Sequence, residues 1–167
     1  NLLMLGNDFT ANIYKKSFIY GNKDVLKRFP AIDETLFCER DRNALRKKLQ
    51  IDDSVKYIIS FGAQSFKDTR KGMSYLIKSL NILHSKIEDE NSIILLAAGN
   101  ADSINNKTIP FKCIKMGYLT MEQLAEMYAV SDIFLSPSIE DAGPMMVNQS
   151  LSCGTPVVAF EIGTALS

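Results

Sequence analysis

The sequence has no tryptophan, one histidine and three cysteines among 167 residues. Each scarcity removes a class of chemistry. Ser-His-Asp or Cys-His catalysis would have to use His84, which the hydrophobic periodicity places in mid-helix. A structural zinc site needs about four ligands at close spacing. Cys38, Cys113 and Cys153 are far apart, with no C-x-x-C pair, and read as small buried hydrophobes in a reducing compartment. No run of about 18 apolar residues is present, so nothing reads as a membrane span, and no signal-peptide pattern is visible. Nineteen basic side chains balance nineteen acidic ones, which leaves no global pull toward nucleic acid or an acidic membrane. The G-x4-G-K-[ST] loop is absent, and no G-x-G-x-x-G follows the first strong strand.

What is there is ordinary globular material: 46% hydrophobic and 23% charged residues, enough for one domain. The first residue, Asn1, is not a methionine, and the chain stops at 163–167 just after a predicted strand, so both ends read as cut from a larger protein. Residues 1–29 are mixed, with an apolar Leu2–Leu5 and a helix-like end over Tyr14–Tyr20. Glu39–Gln50 reads as a charged, solvated helix. From residue 55 the pattern is regular. Val55–Phe61, Ser92–Ala98, Cys113–Met116, Asp132–Ser136 and Val157–Phe160 are apolar strands. Helical spacing of Met73, Leu76, Ile77, Leu80, Leu83 and Ile87 marks a helix. Thr120-x-x-Gln123 is a capping box that turns Met121, Leu124, Ala125 and Tyr128 inward. Gly143-Pro144 opens a helix through Ser152. Five continuous apolar strands alternating with helices predict an α/β fold, a doubly wound parallel sheet covered on both faces. Ligands on such sheets bind outside the carboxyl ends of the strands. Gly62, Gly99 and Gly117 stand at such ends.

Two loops carry chemistry. In Gly62–Gly72 two cations, Arg70 and Lys71, precede a helix start, where anions are normally favoured. They read either as a solvated basic loop or as cations that neutralise a bound anion. In Ser136–Gln149 two carboxylates, Glu140 and Asp141, precede the Gly143-Pro144 start. They read as a cap, or as acceptors for sugar hydroxyls beside the free amides of Met145, Met146 and Val147. Gln149 lies about one turn further on.

Asp132-Ile-Phe-Leu-Ser-Pro-Ser138, Glu140-Asp-Ala-Gly143-Pro and Cys153-Gly-Thr-Pro-Val-Val-Ala159 together resemble the C-terminal domain of family-four retaining glycosyltransferases of the GT-B fold. Phe61-Gly62 with Arg70-Lys71-Gly72, Met116-Gly-Tyr-Leu119 with Leu124 and Tyr128, and Phe29-Pro-Ala-Ile-Asp33 with Leu36-Phe37 extend the likeness over about residues 29–163. The resemblance implies one Rossmann-like half of a two-domain enzyme: residues 1–28 as the end of an N-terminal domain or a linker, and 29–167 as a truncated donor-binding domain. It implies a nucleotide-diphosphate-sugar donor and retaining, hexosyl-type transfer to a saccharide or lipid-linked acceptor in polysaccharide biosynthesis. It further implies a cytoplasmic enzyme without a cofactor or metal (no D-x-D cluster occurs), and a piece that is inactive alone. The acceptor would be held by an absent N-terminal domain, through which peripheral membrane contact could be made; no nucleic-acid partner is implied. The catalytic set it implies is Glu140, Asp141 and Lys71. The donor-binding set is Gly62, Ala63, Arg70, Lys71, Met116, Gly117, Tyr118, Leu119, Gly143, Pro144, Met145, Met146 and Gln149. The chain departs from the family pattern in two places. Ala63 stands where an arginine is usual, and Gln149 stands at the second position of Glu-x7-Glu, leaving Glu140 or Asp141 for the first. These departures keep open a non-catalytic nucleotide- or phosphate-binding module, or a degenerate transferase scaffold.

Overall fold

The computed structural model describes residues 2–28, 30–100, 104, 108–141, 143 and 145–162. The chain opens with a small βαβ unit. Strand β1 (Leu2–Leu5) and β2 (Asp24–Lys27) pair in parallel, joined through helix α1 (Asp8–Lys15). Asn7 caps α1 by accepting the Thr10 amide proton at 2.9 Å. Aspartate at the start of α1 and lysine at its end match the helix dipole. The sequence pattern marked Leu2–Leu5 only as apolar and found neither strand nor pairing, because β2 is short and mostly exposed.

Helix α2 (Arg42–Lys48) leads to the main body: β3 (Tyr57–Ser65), α3 (Met73–His84), β4 (Ile93–Asn100), β5 (Lys112–Gly117), α4 (Met121–Val130), β6 (Ile133–Ser136), α5 (Met145–Ser152) and β7 (Val157–Ala159). The five strands from β3 onward form one sheet in the order β5-β4-β3-β6-β7, every pair parallel. The chain winds outward from β3 through β4 to β5, then crosses back to β6 and β7. The order therefore reverses between β3 and β6, which opens a crevice at the carboxyl ends of those strands.

Both faces are covered. Ile58, Leu96, Tyr128, Val130 and Phe134 pack on one side, with α2, α4 and α5. Phe61, Leu76, Leu80, Leu95 and Ala97 pack on the other, with α3. Residues 93–98 of β4 are all buried, which explains a continuous apolar run in place of alternation. Tyr128 meets Phe134 edge-on at 5.2 Å between ring centroids, a favoured aromatic geometry. Both capping-box bonds of Thr120 and Gln123 form, at 3.2 and 2.9 Å.

The structure corrects several expectations. Strand β3 runs on to Ser65, so Gly62 lies inside the strand and does not end it. Met121 is exposed, since it opens α4 on the solvent side of the helix. His84 is the last residue of α3, 2.6 Å from a Glu90 carboxylate oxygen. Of the cysteines only Cys153 is buried; Cys38 and Cys113 are half-buried, and all three are free. The charges of α2 are not merely solvated. Arg46 donates to the Val55 carbonyl at 2.6 Å, and Lys48 pairs with Glu126 of α4 at 2.5 Å. Phe29 and residues 163–167 lie outside the described residues.

Candidate active site at the switch point

Two loops leave the carboxyl ends of β3 and β6 and meet over the crevice. In the first, Asp68 opens a 3-10 turn over Thr69–Lys71 by accepting the Arg70 amide proton at 3.0 Å. The same carboxylate accepts from the Arg70 guanidinium at 3.1 and 2.8 Å. These bonds lower the Asp68 pKa and raise that of Arg70. The turn ends at Gly72, whose φ of 67° is left-handed and which stands directly before α3. A Cβ there would lie 1.7 Å from the Pro137 carbonyl oxygen of the second loop. Only glycine lets the two loops approach this closely.

The loops are joined by backbone and by charge. The Ile139 amide donates to the Arg70 carbonyl at 2.8 Å. The Lys71 ammonium donates to Asp141 Oδ2 at 2.6 Å, and Asp141 Oδ1 accepts the Gly143 amide proton at 3.1 Å. Both side chains of this pair are half-buried, Lys71 29% exposed and Asp141 18%. The two cations singled out in the sequence thus have different destinies. Arg70 turns back on its own loop, while Lys71 crosses the switch point. The carboxylates divide in the same way. Asp141 faces Lys71, and Glu140 is exposed at the rim, where its charge adds to the upward shift of Arg70.

Two clefts lie near these loops, one of them bordered by Asp141. One, of about 140 Å³, lies over the ends of β3 and β4 and is lined by Ala63, Gln64, Ala98, Gly99, Tyr118, Leu119, Leu124 and Met146. The Tyr118 hydroxyl donates to the Gln64 carbonyl at 3.0 Å. Gly99 has φ 98°, and a Cβ on it would meet the Ala63 carbonyl oxygen at 1.8 Å. Gly62 lies under the Met146 methyl, 2.6 Å from where a Cβ would sit. The second cleft, of about 220 Å³, is lined by Gly6, Asn7, Pro30, Asp141, Gly143, Met145 and Asn148. It joins the turn after β1 to the second switch-point loop. Helix α5 begins between the clefts, and its first turn has amides with no partner inside the helix.

The structure therefore gathers Ala63, Tyr118, Leu119 and Met146 in one cleft, and Asp141, Gly143 and Met145 in the other, with Lys71 at the junction. Gly117 has φ 69° and ends β5. Met116 packs into the core on the α4–α5 side and lines neither cleft. Gln149 is buried at 7% exposure, on α5. Pro144 lies outside the described residues. Gln64 was missed, although it adjoins Ala63, and Gly99, marked as a strand-end glycine, was not carried into the donor-binding set. Gly6, Asn7 and Asn148 had no local signal, because only the packing of the βαβ unit brings them near Asp141.

A doubly wound parallel sheet whose chemistry gathers at the switch point is the C-terminal-domain architecture of GT-B glycosyltransferases. The chain belongs to the family glycosyl transferases group 1, whose model matches residues 41–167. It is 24% identical over 149 residues to an N-acetyl-alpha-D-glucosaminyl L-malate synthase from Bacillus anthracis, covering 85% of this chain and 37% of that protein. It is 27% identical over 122 residues to an alpha-monoglucosyldiacylglycerol synthase from Streptococcus pneumoniae, covering 69% and 26%. The chain thus spans between about a quarter and two fifths of these relatives. Its fold matches a sucrose-phosphate synthase from Thermosynechococcus elongatus with TM-score 0.75 and 17% identity, over 97% of this chain and 41% of the other. It also matches Anabaena HepE in complex with UDP and glucose, with TM-score 0.72 and 16% identity, over 99% and 46%. Among the described residues no helix is long and apolar enough to cross a membrane.

Proposed function

We propose that this chain is the donor-binding part of a retaining glycosyltransferase that uses a nucleoside-diphosphate sugar. The observation that carries this reading is the Lys71–Asp141 junction, with one cleft bordered by Asp141 and another over the ends of β3 and β4. In it the base and ribose occupy the cleft of Ala63, Tyr118 and Leu119, and the diphosphate lies against Lys71 and the first amides of α5. The sugar projects toward Asp141, Gly143 and Asn148. Lys71 and the α5 amides offset the charge that grows on the leaving diphosphate, without a resident metal. Strands β1 and β2 form a sheet of their own, apart from the main one, which supports assigning residues 1–28 to an acceptor-side domain. The cleft between them would then admit a saccharide or lipid-linked acceptor. Three free thiols fit a cytoplasmic setting.

Calorimetry of the full chain against UDP, GDP and ADP and their hexose conjugates tests the donor reading. Saturable binding of one base series is expected, and no binding of any of them would refute it. Anomeric assignment of the product of the full-length enzyme tests retention. A second reading, a binding module without turnover, is favoured by one observation: Ala63 replaces a cation, and Arg70 is held by Asp68. Nucleotide binding with no transfer by the full-length protein would select it.

A further inference from the structure

We propose that Asp141 is an internal stand-in for the donor's phosphate on Lys71, so that nucleotide enters by exchanging one anion for another. The proposal rests on the donor-site reading above. Lys71 and Asp141 come from different loops, yet their charges meet at 2.6 Å with both side chains half-buried. The pair closes the same seam as the Ile139–Arg70 backbone bond and the contact of Gly72 with Pro137. Asp141 is held from behind by the Gly143 amide at 3.1 Å, so the carboxylate is presented to Lys71 by its own loop. A phosphate oxygen seeking Lys71 therefore meets an ammonium already neutralised.

Three consequences follow from this exchange. Every ligand whose phosphate engages Lys71 bears the same cost of displacing Asp141, whereas a nucleoside that fills only the Tyr118 cleft bears none. Asp141 thereby disfavours partial ligands: a phosphate gains little from the junction unless it brings more charge or more bonds than the carboxylate it displaces. It also stops an empty site from presenting a bare cation to any passing anion. Binding and release of the donor are then coupled to separation of the two loops, since the displaced carboxylate must leave the seam.

The test uses the full chain and four proteins: wild type, Asp141→Asn, Lys71→Met and the double variant. Each is titrated with the nucleoside diphosphate that binds best and with its parent nucleoside. The Asp141→Asn substitution keeps an acceptor for the Gly143 amide but removes the charge, so the loop retains its local bond. The expected result is that Asp141→Asn tightens the diphosphate roughly three- to tenfold and leaves the nucleoside unchanged, and that the gain vanishes in the Lys71→Met background. Weaker or unchanged diphosphate binding by Asp141→Asn, with Lys71→Met still weakening it, would overturn the stand-in while leaving the donor site intact. Unchanged binding by Lys71→Met would instead remove Lys71 from the donor site. If Asp141→Asn lowers the melting temperature enough to obscure binding, Asp141→Ser repeats the comparison with a shorter, neutral side chain.

Discussion

The two ends of the main sheet each carry a cation–carboxylate pair between separate segments, and the pairs are built differently. At the amino end, Asp132 stands just before β6. Its Oδ2 accepts the Ile58 amide proton at 2.8 Å, its Oδ1 accepts from Arg42 at 2.7 Å, and its own amide donates to the Ile58 carbonyl. Arg42 also donates to the Val130 carbonyl at 3.1 Å. This knot is backed by main chain on both sides. At the carboxyl end, the Lys71 ammonium makes one hydrogen bond among the described residues, to Asp141. No main-chain group backs the ammonium among the described residues, so a competing anion has a single side-chain bond to displace. Charge serves assembly at one end of the sheet and, in the exchange proposed above, gives way to a ligand at the other.

The largest expected effect breaks the carboxyl end by force. Gly72→Ala places a methyl 1.7 Å from the Pro137 carbonyl oxygen and must also hold φ 67°. We expect a loss of about 3 kcal/mol in chemical denaturation together with loss of nucleotide binding. Native-like stability would show that the loops can part freely. Next, Asp132→Ala strips the Ile58 amide and Arg42 of their shared acceptor. It should cost about 2 kcal/mol of unfolding free energy and leave nucleoside-diphosphate affinity unchanged. A parallel loss of affinity would mean the two ends are not separable.

Lys71→Ala is the mirror experiment. It should weaken nucleoside-diphosphate binding by about 1.5 kcal/mol, some tenfold, with the loss shrinking as salt rises, while stability moves by less than about 1 kcal/mol. Gln149→Glu asks whether α5 reads the ribose. Its ribose/2′-deoxyribose affinity ratio should rise about threefold if the added charge meets hydroxyls. An unmoved ratio would take this buried residue away from the nucleotide. The smallest effect is on pH. Asp68 has its pKa lowered, first by the Arg70 side chain and then by the Arg70 amide. Its contribution to stability is present above the ordinary carboxylate pKa and lost as pH falls through the lowered value. Acid titration of Asp68→Asn should therefore lack a shallow loss seen in the wild type below about pH 4.

Much of the fold was legible from sequence because its strands are buried on both faces. Ile93–Ala98 can be nothing but apolar in that position, and Thr120 with Gln123 carries its own helix start. The βαβ unit was illegible because Asp24–Lys27 is exposed and polar at its ends, so its strand character comes from pairing with Leu2–Leu5. The site was legible as residue types: a basic loop, an acidic loop, and glycines at strand ends. The two clefts were not, since Gly6 and Asn148 share a wall only after the chain has folded.

By itself the sequence determined the alternation of strand and helix, the parallel sheet and the two loops that carry charge. These follow from local periodicity, capping and turn chemistry, which act over a few residues. Only the tertiary structure decided which cation meets which carboxylate. Arg70 is captured two residues away by Asp68, whereas Lys71 reaches Asp141 across 70 positions of chain. That choice depends on the strand order, which sets β3 beside β6, and on Gly72, whose missing side chain lets the loops close. Adjacent positions in a turn point in different directions, so two neighbouring cations of like chemistry take up opposite roles.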